Sequence, residues 1–395
     1  MVMKKRLLFV IDSLGLGGAE KSLINLLHSL DYEQYEVDLF LFYKKGMFLD
    51  LLPSQVKVLE HTREWAAFQL PFLKSLASLA AYLRFDLAYH RAMLSIKSKL
   101  CRMTQPRQQK LWNHLSPAAP FIYDEYDAAI GYLEKYPDYF IAEKVNAKKK
   151  IGWIHIDYIA YGLNSEYDRP YFEKLDYIAA VSDSCVEALK QCFPDMEDKF
   201  VLVENISCPK LIKEMANHAA DIDAKDTLIV TAARLAEQKG IDLSIEAARL
   251  LQKDGYEFRW IILGDGPLKE EYSKRIIKYG LEGKFILKGA VPNPYPYMKA
   301  ADIYVQTSRF EGKSLSIDEA KILGKPIVAT RFPTVYDQIH DGLTGILSDI
   351  DAISIYEKIR FLIDNPDARQ ALQNNLSKEK TDYESKVKGF YRLIG

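Results

Sequence analysis

"TLIVTAARLAEQKGIDLSIEAARLLQKDGYEFRWIILGDG", Thr227 to Gly266, holds two short apolar runs on either side of one amphipathic segment. "TLIVTAAR" and "FRWIILG" read as buried strands, and "GIDLSIEAARLLQKDG" repeats its apolar residues at helical spacing. Strand, helix, strand in that order demands a right-handed crossover, a parallel strand pair and a helix packed on the sheet. The alternation continues on both sides. Downstream come "FILKG", "IYVQTS", "PIVAT" and "GILS"; upstream come "RLLFVID", "EVDLFLF", "VKVLE", "DAAIGY", "KKIGWIH", "YIAAVS" and "FVLVEN". An α/β pattern that runs twice predicts two doubly wound domains.

The strand pattern breaks at "NISCPKLIKEMANHAADIDAKD", which begins at Asn205. We therefore expect a first domain over 1–205, a second over 206–375, and a final helical segment over 376–395 that packs back on the first. Within the first domain, 63–115 reads as a helical insertion. From Arg63 to Lys110 it carries nine basic residues (Arg63, Lys74, Arg84, Arg91, Lys97, Lys99, Arg102, Arg107, Lys110) against Glu64 and Asp86. Aromatic and aliphatic residues are interleaved with them. Such a region suits an anionic bilayer surface, or equally a solvated face over an apolar one.

The 395 residues are 48% hydrophobic and 27% charged with a net charge of −1, a globular profile with no global pull toward nucleic acid. Cys101, Cys185, Cys192 and Cys208 show neither a CxxC pair nor metal-ligand spacing, so reduced thiols are expected. Lys4, Lys5 and Arg6 before Leu7 to Ile11 imitate a secretory signal, but the apolar run is shorter than the roughly 7–15 residues such a core needs. It reads as a first buried strand. No run approaches a spanning helix, so a cytoplasmic protein is expected, with peripheral contact at the inner membrane face left open.

In parallel sheets ligands bind beyond the carboxyl ends of strands. Three loops have that position. "DSLGLGGAEKS" places Gly15, Gly17 and Gly18 before a helix start, as a tight structural turn or an anion cradle would need. It is not GxGxxG, which disfavours a dinucleotide. "TAARLAEQKGI" puts Arg234 at a strand end and Lys239 before Gly240; the pair suits a diphosphate or is two solvated cations. "RFEGKSLSIDEAKILGKPIVAT", Arg309 to Thr330, places Glu311 before a helix capped by Ser314 or Ser316, with Glu319 near its first turns. Amides around Lys313 to Leu315 would then face phosphate oxygens. Two carboxylates flanking that start suit the hydroxyls at both ends of a sugar–diphosphate–nucleoside. Against this, Ser316-Ile317-Asp318-Glu319 is also a capping-box sequence.

"GLGGAE" (Gly15 to Glu20), "ARLAEQKG" (Ala233 to Gly240), "LGDGP" (Leu263 to Pro267) and "FEGKSLSIDEA" (Phe310 to Ala320), in this order, resemble the retaining glycosyltransferases of family 4. The resemblance covers nearly the whole chain. It implies the GT-B fold, two Rossmann-like domains facing a central cleft. It also implies a hexosyltransferase of the bacterial surface-polysaccharide type, acting without metal or other cofactor. The nucleotide-diphosphate sugar, UDP-sugar favoured, would be substrate, and the acceptor a lipid-linked or growing surface glycan. By the same resemblance Arg234 and Lys239 hold the donor diphosphate, Glu319 the ribose and Glu311 the transferred hexose or N-acetylhexosamine. Gly17, Gly18 and the amides near Ser314 and Leu315 line the phosphates, and His155, ending "KKIGWIH", sits near the reacting carbon. The chain departs from the family pattern at Lys313, where an aromatic is frequent, and at Ile156, which separates His155 from Asp157. A nucleotide-sugar epimerase, a glycan phosphorylase and a non-catalytic GT-B subunit are the rival readings.

Overall fold

The computed structural model describes residues 4–15, 17–100, 104–222, 226–311, 313–379 and 383–395. Cys101 and Arg102 lie outside the described residues, as do Leu16 and Gly312 of the two glycine-bearing motifs. The chain divides into two compact units, Met1–Ile206 with Glu384–Gly395, and Ser207–Tyr383.

The first unit is built on a seven-stranded sheet in the order Val56–Val58, Tyr35–Leu41, Lys5–Ile11, Ala128–Gly131, Lys150–Ile154, Tyr177–Ala180, Phe200–Leu202. All of its pairings are parallel. Leu7 to Ile11 are fully buried, as a central strand covered on both faces requires. The order reverses between Lys5–Ile11 and Ala128–Gly131, so the loops leaving their carboxyl ends diverge and leave a crevice. The second unit has six parallel strands in the order Phe285–Gly289, Phe258–Leu263, Thr227–Ala232, Ile303–Gln306, Ile327–Thr330, Ile346–Ser348. Its order reverses between Thr227–Ala232 and Ile303–Gln306.

Each apolar run read as a strand is one. Two further strands, Ile122–Tyr126 and Val145–Ala147, form a small sheet of their own. Ile122–Tyr126 is "IYDEY" with Tyr123 to Glu125 exposed, and so offered no apolar run to read. Among the described residues the insertion forms five helices, Arg63–Gln69, Phe72–Ala81, Phe85–Leu100, Gln105–Lys110 and Trp112–Leu115. Residues 376–378 finish the helix Pro366–Lys378, and the element that joins the first unit is the separate helix Tyr383–Ile394.

That last helix is held by its aromatic residues. Phe390 is fully buried, stacks on Phe9 at 5.9 Å and meets Trp153 at 6.2 Å. Tyr391 stacks on Tyr35 at 5.3 Å, and its hydroxyl accepts the Asp31 amide at 2.9 Å. Phe390→Ala removes the buried ring that packs on Phe9 and Trp153. Chemical denaturation should show about 3–5 kcal/mol lost, the range for truncating an enclosed phenylalanine.

Candidate functional site

In the second unit the chain after Ile303–Gln306 returns along the loop that follows Thr227–Ala232. Gly240 makes this close approach possible: its φ is +62°, and an added Cβ would sit 2.0 Å from the Thr307 carbonyl oxygen. Around the approach, four side chains converge on one carboxylate. Glu311 Oε1 receives Lys239 Nζ at 2.5 Å, Ser308 Oγ at 2.6 Å and Gln306 Nε2 at 3.2 Å, while Gln238 Nε2 lies 3.5 Å from Oε2. The Glu311 side chain is only 7% exposed. Gln238 also donates to the Phe310 carbonyl at 2.9 Å, and Arg309 pairs with Asp242 through two bonds of 2.9 and 2.6 Å. Arg234, two residues past its strand, is exposed.

The helix beyond this loop is Leu315–Ile322, with Ser314 at its N-cap position, and Gly324 at φ +65° closes its far end. Neither serine caps it by side chain. Ser316 Oγ instead donates to the Ala232 carbonyl at 3.2 Å. Gln338 does the capping from outside: its Oε1 accepts the Ser314 amide at 3.0 Å, and its Nε2 donates to the Ser314 carbonyl at 2.9 Å and to Asp318 Oδ1 at 2.8 Å. Two expectations are corrected here. The Ser314 amide is already bonded, leaving Leu315 and Ser316 as the first amides with no carbonyl four residues earlier inside the helix. The capping box is also displaced, because Ser316 lies inside the helix and Glu319 a turn deeper. Glu319 is fully buried and accepts the Tyr295 hydroxyl at 3.0 Å. Burial, and then the Glu319 charge, hold that phenol well above its ordinary pKa.

Sequence reading did not single out Gln306, Ser308, Gln238, Gln338 or Tyr295. Their one shared signal was position, just past a strand or beside a loop, since polar side chains of these types are common on any surface.

Gly17, Gly18 and His155 belong to the first unit. Gly17 is the N-cap of the helix Gly18–Ser29, and the Glu20 carboxylate folds over it, 2.0 Å from where a Cβ would stand; Gly18 has open space instead. His155 follows the strand Lys150–Ile154, with its ring 5.1 Å from that of Tyr132 and nearly parallel to Trp153 at 6.2 Å. Neither ring nitrogen has a hydrogen bond of ordinary geometry. Burial drives its pKa down to about 3, opposed weakly by the Asn205 side chain and the Tyr132 backbone. The imidazole is therefore neutral at physiological pH. Beside it, Glu134 Oε2 accepts the His155 amide at 3.3 Å.

Asp12, Glu20 and Glu134 gather at the carboxyl end of this sheet, and burial raises the pKa of all three. Asp12 is pushed up to about 7, mainly by burial; Lys135 opposes the shift, and Glu134 and Glu20 add to it.

Residues 213–379 match the family of glycosyl transferases group 1. Over 177 residues the chain is 28% identical to the alpha-D-kanosaminyltransferase of Streptomyces kanamyceticus, covering 42% of this chain and 46% of that protein. It is 29% identical over 205 residues to a Campylobacter jejuni protein, covering 51% of this chain and 55% of that one. That relative is named N-acetylgalactosamine-N,N'-diacetylbacillosaminyl-diphospho-undecaprenol 4-alpha-N-acetylgalactosaminyltransferase. The chain thus spans about half the length of these relatives. HepE of Anabaena, solved in complex with UDP, superposes over 99% of both chains with a TM-score of 0.65 at 17% identity.

The fold is GT-B. Within it, the group 1 stretch lies inside the second unit and includes Arg234, Lys239, Glu311, Ser314, Leu315 and Glu319.

The raised pKa of Asp12 has a definite consequence for stability. In the unfolded chain an aspartate ionises near pH ~4, whereas the folded chain holds the proton up to about 7. Between those values the folded state binds more protons, so stability falls as pH rises through the window. Asp12→Asn removes that cost. Its gain in melting temperature should be larger at pH 8 than at pH 4.5; equal gains at both would show that the carboxylate charge is not responsible.

Proposed function

We propose that this chain is a retaining, metal-independent glycosyltransferase that moves a hexose or N-acetylhexosamine from a UDP-sugar to a lipid-linked or growing surface glycan. The observation that carries the reading lies at the second sheet's switch point: the Lys239–Glu311 pair, and the helix Leu315–Ile322 whose Ser316 bonds to the Ala232 carbonyl, two residues before exposed Arg234. Cations beside a helix start favour a diphosphate. The UDP found with HepE supports the choice of base, and the diphospho-undecaprenol in the Campylobacter relative's name supports a lipid-linked acceptor.

On this reading Arg234 and Lys239 hold the diphosphate, with the amides of Leu315 and Ser316 as further donors. A bound diphosphate gives the Lys239 ammonium a second anionic partner. Glu311, kept in place by Ser308 and Gln306, offers Oε2, whose one neighbour among these donors is Gln238 at 3.5 Å, to hydroxyls of the sugar. Glu319, oriented by Tyr295, accepts the ribose hydroxyls once the enclosing residues shift. As the bond from the anomeric carbon to phosphate breaks, charge grows on the leaving oxygen. The cations stabilise that charge, and the acceptor hydroxyl adds from the same face and passes its proton to the departing phosphate. His155, being neutral, contributes a hydrogen bond and no charge. By the family resemblance alone, Gly17 and Gly18 are further donor-binding residues. The work is placed at the cytoplasmic face of the membrane, where lipid-linked acceptors present their sugars.

Calorimetric titration with UDP, GDP and ADP tests the donor site. One nucleotide, UDP, should bind. Lys239→Ala should weaken it by about tenfold or more, the worth of a charge-assisted hydrogen bond, and Glu319→Gln should weaken it as well. No binding, or binding indifferent to both substitutions, would favour the non-catalytic GT-B subunit.

A further inference from the structure

Among the described residues, three helices end with the same paired bonds and a glycine in the left-handed region. Gly255, Gly280 and Gly324 have φ of +81°, +64° and +65°; their amides bond to Gln252, Ile277 and Lys321, and the next amide reaches back to Leu251, Ile276 and Ala320. This is the Schellman closure, for which glycine is the unstrained choice. The helix Phe72–Ala81 closes identically, Leu83 N to Ala80 O and Arg84 N to Leu79 O, both at 2.9 Å. Here the left-handed residue is a leucine, at φ +58°. A branched side chain resists that conformation, so the position bears a cost that glycine would remove. Leu83 gains nothing from packing in return, since it is 76% exposed.

The helix that follows, Phe85–Leu100, continues the anomaly. Its Leu87 is buried, yet Phe85 and Tyr89 stand 65% and 60% exposed, with Ile96 exposed beyond them. Offsets of four and eleven residues put these three within about 40° of one another on the helix, opposite Leu87. The surrounding charge is positive. Between Arg63 and Leu100 six cations face Glu64 and Asp86. Arg84 neutralises Asp86 through bonds of 3.0 and 2.8 Å, leaving Lys97 and Lys99 exposed in the last turn of the helix that carries the strip, and Lys74 exposed on the helix before it.

We propose that the Leu83 turn and the Phe85–Tyr89–Ile96 strip form a membrane-insertion edge for an anionic bilayer. Leu83 and Phe85 enter the acyl boundary, Tyr89 sits at the headgroup level, and the lysines engage lipid phosphates. An exposed leucine kept at a glycine position, next to an exposed apolar strip on a helix that ends in Lys97 and Lys99, has the chemistry that suits a lipid surface. The inference rests on the membrane-borne acceptor proposed above, but its test needs neither donor nor acceptor.

The full chain is sedimented with vesicles of phosphatidylcholine alone and of phosphatidylcholine with phosphatidylglycerol. Binding should require the anionic lipid. Leu83→Gly should leave the melting temperature equal or higher while reducing vesicle binding by about threefold or more, and Phe85→Ser with Tyr89→Ser by about tenfold or more. UDP titration of the same variants should be unchanged, and if UDP fails to bind while vesicles do, the donor reading falls and this one stands. Absence of binding, equal binding to neutral vesicles, or full binding by the variants overturns the proposal. So does light scattering that shows a dimer lost in the variants without any vesicle binding, which would make the edge an interface between copies of this chain.

Discussion

Thr227–Ala232 and Ile303–Gln306 lie side by side and parallel, although seventy residues of chain separate them. A parallel neighbour cannot be reached by a hairpin, so the chain must leave, build other strands and return on the far side of the first. That reversal fixes where the loops part. The meeting of these loops in the second unit hangs on this one pairing. Arg234 and Lys239 follow one strand, Ser308 and Glu311 follow the other, and the bond between Lys239 and Glu311 joins loops whose strands are already paired.

The two units treat their charges in opposite ways. In the second, buried Glu311 is surrounded by donors and half-buried Arg309 pairs with Asp242, so these charges are compensated by neighbours. In the first, Asp12, Glu20 and Glu134 share one end of the sheet, and burial shifts their ionisation upward. Lys135 eases Asp12, and its ammonium donates to Gln108 at 3.0 Å. Among the described residues just two non-glycines have positive φ, Leu83 and Lys135. Strain of this kind persists where surrounding structure holds it in place, and here it falls at an exposed apolar turn and beside the carboxylate cluster.

The tertiary structure also redistributes roles that sequence neighbours would have taken. The start of Leu315–Ile322 has two serines within reach, yet Gln338, from a segment beyond the next strand, does the capping. This releases Ser316 to tie the helix to the strand Thr227–Ala232, and Glu319 to pair with Tyr295. A helix start held by a distant amide side chain is anchored to the sheet rather than merely terminated.

Short apolar runs of valine, isoleucine and leucine, alternating with amphipathic helices, were enough to determine two parallel α/β layers and the loops at their carboxyl ends. That information is local, because burial on both faces of a strand selects the residue types within it. The polar strand Ile122–Tyr126 carried no such mark and was invisible. The partners of individual side chains were equally out of reach. Lys239 and Glu311 are 72 positions apart, and nothing in either neighbourhood names the other. Their pairing, the external cap from Gln338 and the enclosure of Glu319 were decided only when the crossover brought distant loops together, because the contacts of a polar side chain depend on which loops meet and not on the residues beside it in the chain.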